Sequence, residues 1–348
     1  MEFDNETIRI AVKLYIKNEK EGEEKYGHIN TWNVSGVTDM HDVFYEAKSF
    51  NQPLNNWDVS NVTNMTSMFC DARSFNRPLD NWDVSNVTNM TSMFCDARSF
   101  NRPLDNWDVS NVTNMKCMFC NAISFNRSLN NWDVSNVTNM ARVFNHAKSF
   151  NRPLNNWDVS NVTNTHSMFG GAESFNQPLN EWDVSNVTNM DWMFNHAKSF
   201  NQPLNEWNVG NVTNMEWMLF MARSFNKSIN NWDVRNVTNM GRMFCGAESF
   251  NQPLNEWDVS HVTNMRFMFQ HTNIGSMLEK HNLSEKQFFV SPTNKKVYHK
   301  LFVWPRKKDY VTFLVNNQYL PLNKHQEKHE YHPLFDNTDM SKYIAYYL

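Results

Sequence analysis

Residues 57–81 read WDVSNVTNMTSMFCDARSFNRPLDN, and near-copies of this stretch set a tryptophan every 25 residues, at Trp32, Trp57, Trp82, Trp107, Trp132, Trp157, Trp182, Trp207, Trp232 and Trp257. A strict period of this length marks a solenoid, in which each unit buries its apolar face only against its neighbours. Counting back to Leu54, the apolar residues are Leu54, Trp57, Val59, Val62, Met65, Met68, Phe69, Ala72 and Phe75. The Trp57-x-Val59 step has the two-residue period of a short strand, and Met65, Met68, Phe69 and Ala72 have the spacing of one helical face. Asn64 is placed to cap that helix, and Pro53 and Pro78 stop the chain from continuing helical.

One coil therefore reads strand, turn, short helix, turn. Stacked coils predict a right-handed α/β repeat solenoid of leucine-rich-repeat type, with one parallel sheet of W-x-V strands at ~4.8 Å spacing and short helices on the opposite side. Glycine is scarce, at nine residues, so asparagine takes the turn positions, where it tolerates left-handed backbone and bonds its own main chain. Residues 1–30 predict an N-terminal cap: a helix over 5–20 with Ile8, Ala11, Val12 and Tyr15 on one face and Asp4 or Asn5 at its start. Residues 31–274 hold the ten repeats. Residues 275–348 predict a mixed α+β cap or docking module, with strands in KKVYHKLFVW and YVTFLV and a helix in DMSKYIAYYL.

The formal charge of −4 is uneven: residues 271–348 carry eleven Lys/Arg against seven Asp/Glu, which leaves −8 on residues 1–270. Such a balance argues against a nucleic-acid partner. No stretch approaches the ~18–20 apolar residues of a membrane span, and MEFDNETIRI does not read as an export signal. Four of the five cysteines, Cys70, Cys95, Cys120 and Cys245, share one repeat position with Cys117 nearby, which reads as free thiols in a reducing compartment. The N-V-T triplets at Asn61, Asn86, Asn111, Asn136, Asn161, Asn186, Asn211 and Asn236 match the glycosylation pattern, yet glycans at every coil would collide. The expected setting is intracellular, in host cytoplasm or a virion.

Three rows are candidate sites. Asp58, Asp83, Asp108, Asp133, Asp158 and Asp183 form a carboxylate row on the sheet face, readable either as a site for a cation or basic partner or as turn-holding acceptors. Arg77, Arg102, Arg127 and Arg152, joined by Arg73 and Arg98, form a basic stripe, either a site for an acidic partner or an ordinary solvated face. Trp192, Trp217 and Phe267 replace Ser67 and Ser92 at one outward position and predict an exposed apolar ridge for partner contact. His325, His329 and His332 read by default as a polar loop rather than a metal site, no cofactor is implied, and no catalytic motif is present.

The spacing L-x-x-W-x-V-x-x-V resembles the core of leucine-rich repeats. The whole V-T-N-M-x-x-M-F-x-x-A-x-S-F-N-x-P-L-N-x-W-D-V-S unit, over about residues 5–270, resembles the BspA-like repeats of mycoplasmal and other bacterial surface proteins. With its leader TIRIAVKLYIKNEKEGEEKYGHINTW it is most similar to members encoded by large DNA viruses. The resemblance implies protein binding without catalysis. The expectation is a non-enzymatic protein–protein interaction scaffold, with oligomeric state open. The alternatives are a carbohydrate- or matrix-binding adhesin and, more remotely, an enzyme with its site in residues 275–348.

Overall fold

The computed structural model describes residues 2–254, 256–280 and 284–289. They form a regular stack of coils whose apolar side chains make one continuous core from Phe3 to Phe289. Every repeat tryptophan is buried, and after Trp32, which bonds Gly27 O, the indole N–H donates to a main-chain carbonyl 28 residues back: Trp82 Nε1 to Leu54 O at 2.9 Å, Trp107 Nε1 to Leu79 O at 3.0 Å, Trp132 Nε1 to Leu104 O at 2.9 Å. A ring of this size needs its polar edge satisfied when buried, and the ladder does so at each coil. Neighbouring indoles lie nearly parallel, 6.4 Å apart between Trp82 and Trp107 and between Trp107 and Trp132. Two phenylalanine columns run beside them, with Phe69 to Phe94 at 5.6 Å and Phe75 to Phe100 at 6.0 Å.

The short helix expected over Met65–Ala72 does not form, although its buried face is the one the spacing gives. In a helix each N–H would bond four residues back. Here alternate N–H groups leave the coil: Met65 donates to Asn89 O, Ser67 to Thr91 O, Phe69 to Met93 O and Asp71 to Cys95 O, at 2.7–3.0 Å. The intervening Met68, Cys70 and Ala72 close turns onto Met65, Ser67 and Phe69. Ser67 and Asp71 sit at φ 51° and 59°, left-handed backbone that a right-handed helix excludes. Consecutive turns thus give the same three-to-four-residue rhythm while spending half the donors between coils.

The parallel sheet of W-x-V strands is also absent among the described residues. Parallel backbone pairing does occur, but at the residue seven positions after each tryptophan, in an unbroken file from Asp39 and Asn64 to Asn264. The Trp82 and Val87 N–H groups close turns onto Leu79 O and Val84 O of their own coil instead of bonding a neighbouring strand. Side chains tie these segments together. Asn86 Nδ2 donates to Ser60 O at 2.7 Å, and the Asn101 N–H donates to Asn76 Oδ1 at 3.0 Å, with equivalents from coil to coil.

The N-terminal cap is two helices rather than one: α1 (Thr7–Lys17) and α2 (Glu19–Tyr26), parted at Asn18, whose side chain accepts from the Glu21 N–H. The expected face of α1, Ile8, Ala11, Val12 and Tyr15, is buried. Asp4 Oδ1 accepts the N–H groups of Glu6 and Thr7, while Asn5 Oδ1 accepts those of Thr38 and Asp39, standing in for a missing preceding coil. Phe3, Tyr15 and Tyr26 close over Trp32. At the far end α3 (Asn273–Lys280) and α4 (Glu285–Phe289) lie over the last coil. Gly275 comes so close to the Phe269 carbonyl that a Cβ would collide with it, and Phe289 lies parallel to Trp257 at 6.5 Å, extending the spine. The strands and final helix expected in the C-terminal module lie outside the described residues.

Candidate functional site

All three candidate rows lie outside the core, and the stack gives each a distinct environment. One chemically varied row is the first left-handed position of each coil: Asp42, Ser67, Ser92, Cys117, Arg142, Ser167, Trp192, Trp217, Arg242 and Phe267, all with φ between 51° and 60°. Left-handed backbone costs any L-residue with a Cβ roughly 1–2 kcal/mol, serine included, so the turn itself gives no reason to place two tryptophans and a phenylalanine here. Trp192 and Trp217 stack at 4.8 Å and 17°. The Arg242 guanidinium lies 4.7 Å over Trp217 and 4.8 Å over Phe267, and Arg266 lies 5.1 Å over Phe267.

The ridge is consequently continuous through Arg242, which the sequence reading passed over as a gap between Trp217 and Phe267. The expected apolar ridge lies outside the core but is partly covered: Trp192, Trp217 and Phe267 are each half-buried, Trp192 and Trp217 stack on one another, and Phe220 meets Trp217 edge-on at 4.5 Å. Phe220 in turn lies 5.2 Å from His196. Among the described residues no carboxylate reaches ion-pair distance of Arg242 or Arg266; the neighbouring pairs are Arg223 with Glu248 and Arg235 with Asp233. What results is a flat strip of π-faces with cationic edges and no internal counter-charge.

The carboxylates of Asp58, Asp83, Asp108, Asp133, Asp158 and Asp183 each accept the backbone N–H of the serine two residues on, at 3.0–3.1 Å. Those serine bonds hold Asp58, Asp83, Asp133 and Asp183 below the usual carboxylate range, and at Asp83 the repulsion from Asp58 is the smallest contribution. Asn208 makes the same bond to Gly210 at 3.1 Å without any charge. The geometry of this row is thus accounted for by turn-holding.

In the basic stripe, Arg77, Arg102, Arg127 and Arg152 each point Nε at an asparagine carbonyl of the preceding coil, Asn51, Asn76, Asn101 and Asn126, at 2.7–3.0 Å. Gln202 takes the same place on Asn176 O at 3.1 Å. These arginines are staples between coils. Arg73 and Arg98 instead fold back on Asp71 and Asp96. Among the described residues no group of His, Cys, Asp and Glu is arranged to hold a metal ion, and no helix is long and apolar enough to cross a membrane. His325, His329 and His332 lie outside the described residues.

The chain belongs to the family described as Mycoplasma protein of unknown function, DUF285, which matches three overlapping segments, residues 16–130, 102–207 and 178–281. The matched segments follow the repeat body from the end of α1 through α3. No curated protein and no solved structure matches the chain.

Proposed function

We propose that this chain, from a family of unknown function, is a non-enzymatic scaffold for protein–protein contact, working inside a cell or a virion. The contact strip is Trp192, Trp217, Arg242 and Phe267. The observation that supports it is the placing of three large aromatic residues at left-handed backbone positions where Ser67, Ser92 and Ser167 serve the same turn. Serine and tryptophan pay the same left-handed cost, so the turn does not call for an aromatic side chain. Stacking and cation–π contacts add roughly 0.5–1.5 kcal/mol apiece within the strip, and tryptophan and arginine are also the side chains that dominate contact energetics in recognition. The partner surface that fits is an apolar or aromatic segment bearing a carboxylate, which pairs with the outer edge of Arg242.

The test is a quantitative affinity capture comparing the full chain with Trp192→Ser/Trp217→Ser/Phe267→Ser and with Asp83→Asn/Asp108→Asn/Asp133→Asn. The first variant restores the residue used by other coils, so its thermal transition stays near that of the parent. The reading expects the aromatic variant to lose its specific partners at least tenfold, corresponding to about 1.4 kcal/mol, and the carboxylate variant to keep them. Equal recovery by both variants refutes the strip.

A further inference from the structure

Four of the five cysteines are gathered at one place on the array. Cys70, Cys95 and Cys120 occupy the same position in three successive coils, and Cys117 shares a turn with Cys120. Their thiols form a chain of side-chain contacts, Cys70 to Cys95, Cys95 to Cys120 and Cys120 to Cys117. The fold does not demand sulfur at either position. Where Cys117 stands other coils have Ser67, Ser92 and Ser167, and where Cys120 stands they have Asn145, Gly170 and Asn195.

We propose that Cys117 and Cys120 are a redox-active dithiol that a small hydroperoxide converts to a disulfide. The Cys120 N–H donates to Cys117 O at 3.1 Å, so residues 117–120 form a hydrogen-bonded turn. Such a turn brings its first and last Cα atoms within about 7 Å, and disulfides span roughly 4.4–6.8 Å between Cα atoms. The same two positions bring the side chains of Trp217 and Phe220 together edge-on at 4.5 Å in another coil, so side chains at 117 and 120 are neighbours. Cys117 is only half-buried, whereas Cys120 is buried.

The polarity of the pair assigns the roles. Cys120 beside it favours the Cys117 thiolate, with Arg142 and Lys116 adding smaller contributions, whereas Cys95 and Cys120 are pushed up to about 12 and Cys70 is raised further; the Cys120 S–H itself points to Asn145 Oδ1 at 3.6 Å. The thiolate is the nucleophile, so Cys117 attacks. Its sulfur takes one peroxide oxygen, the O–O bond breaks, and the other oxygen leaves as water or an alcohol once protonated, giving a sulfenic acid. The Cys120 sulfur then displaces that hydroxyl as water, the thiol proton leaving with it, and the S–S bond forms. The dithiol loses two electrons and the peroxide gains them. Cys245, buried at the same repeat position as Cys120 with its thiol raised mainly by burial, has no thiol neighbour and supplies an internal reference.

The full chain is exposed to limiting hydrogen peroxide, alkylated and digested with trypsin. Cleavage after Lys116 and Arg127 puts Cys117 and Cys120 on one peptide, separate from Cys70 and Cys95. The expected product is that peptide unalkylated and lighter by two hydrogens, formed at least ~10-fold faster than any oxidation of Cys245. In Cys120→Ser a dimedone-reactive sulfenic acid accumulates at Cys117, and in Cys117→Ser, which restores the residue of Ser92, the rapid phase disappears. The proposal is overturned if both cysteines stay fully alkylated, or if Cys70–Cys95 cross-linked peptides form while the 117–127 peptide is untouched.

Discussion

Coils containing Ser67 through Arg142 and coils containing Trp192 through Phe267 share one backbone, one buried wheel of side chains and one set of left-handed turns, yet they display different chemistry. The first group carries a file of thiols beside small polar residues. The second carries stacked rings bound by arginine. Inter-coil bonding is made by backbone atoms and by Asn, Trp and Arg or Gln side chains at fixed positions, so the left-handed row is free to vary without disturbing the stack. Load and display fall on different residues of the same repeat.

The sharpest way to break that division is to compare one tryptophan from each set. Trp132→Ala removes a buried ring and leaves the Leu104 carbonyl without its donor, which should cost about 3–5 kcal/mol. Trp217→Ser, on the half-buried strip, should cost about 1 kcal/mol or less. Urea unfolding of the two variants measures both, and similar losses would end the distinction between wheel and strip. A smaller contrast lies along the staples. Asn126→Ala deletes the acceptor for the Asn151 N–H and should cost about 1–2 kcal/mol, whereas Arg127→Gln should be nearly neutral because Gln202 makes the equivalent contact two coils beyond Arg152.

The smallest expected effect is acid dependence on the carboxylate row. The serine bonds hold Asp58, Asp83, Asp133 and Asp183 below the ordinary carboxylate range in the folded state, so the stability they contribute is present above that range and is lost as pH falls through the depressed folded values. Replacing Asp83, Asp133 and Asp183 by Asn should leave the unfolding midpoint at pH 7 almost unchanged and flatten its decline below about pH 4, checked by thermal melts across that range. A variant that is instead strongly stabilised at neutral pH would show that repulsion, and not the serine bonds, governs the row.

Much of this was legible because a repeat states its core many times over. The 25-residue interval marks Trp57, Met68, Phe69 and Phe75 as interior, and all are buried. The face of α1 could be read from Ile8, Ala11, Val12 and Tyr15 for the same reason. What could not be read was where the N–H groups go. A turn chain with Ser67 and Asp71 left-handed buries the same residues as a helix, and TSMFCDA alone has no glycine; the signal lay in the file, where Gly171, Gly246 and Asn121 stand at the Asp71 position. Parallel pairing at Asn64 rather than at Trp57 is a property of neighbouring coils and not of one. Arg242 could have been found by reading every twenty-fifth residue through the gap between Trp217 and Phe267.

The unbroken Asn64 file and the continuous indole spine have a consequence at the scale of the molecule. Every coil repeats the same bonds to its neighbours, so a copied unit can be inserted without disturbing the stack. Gene duplication in such a chain changes spacing: one extra coil between Cys120 and Trp192 would set the aromatic strip farther from the thiol file, with no side chain altered anywhere.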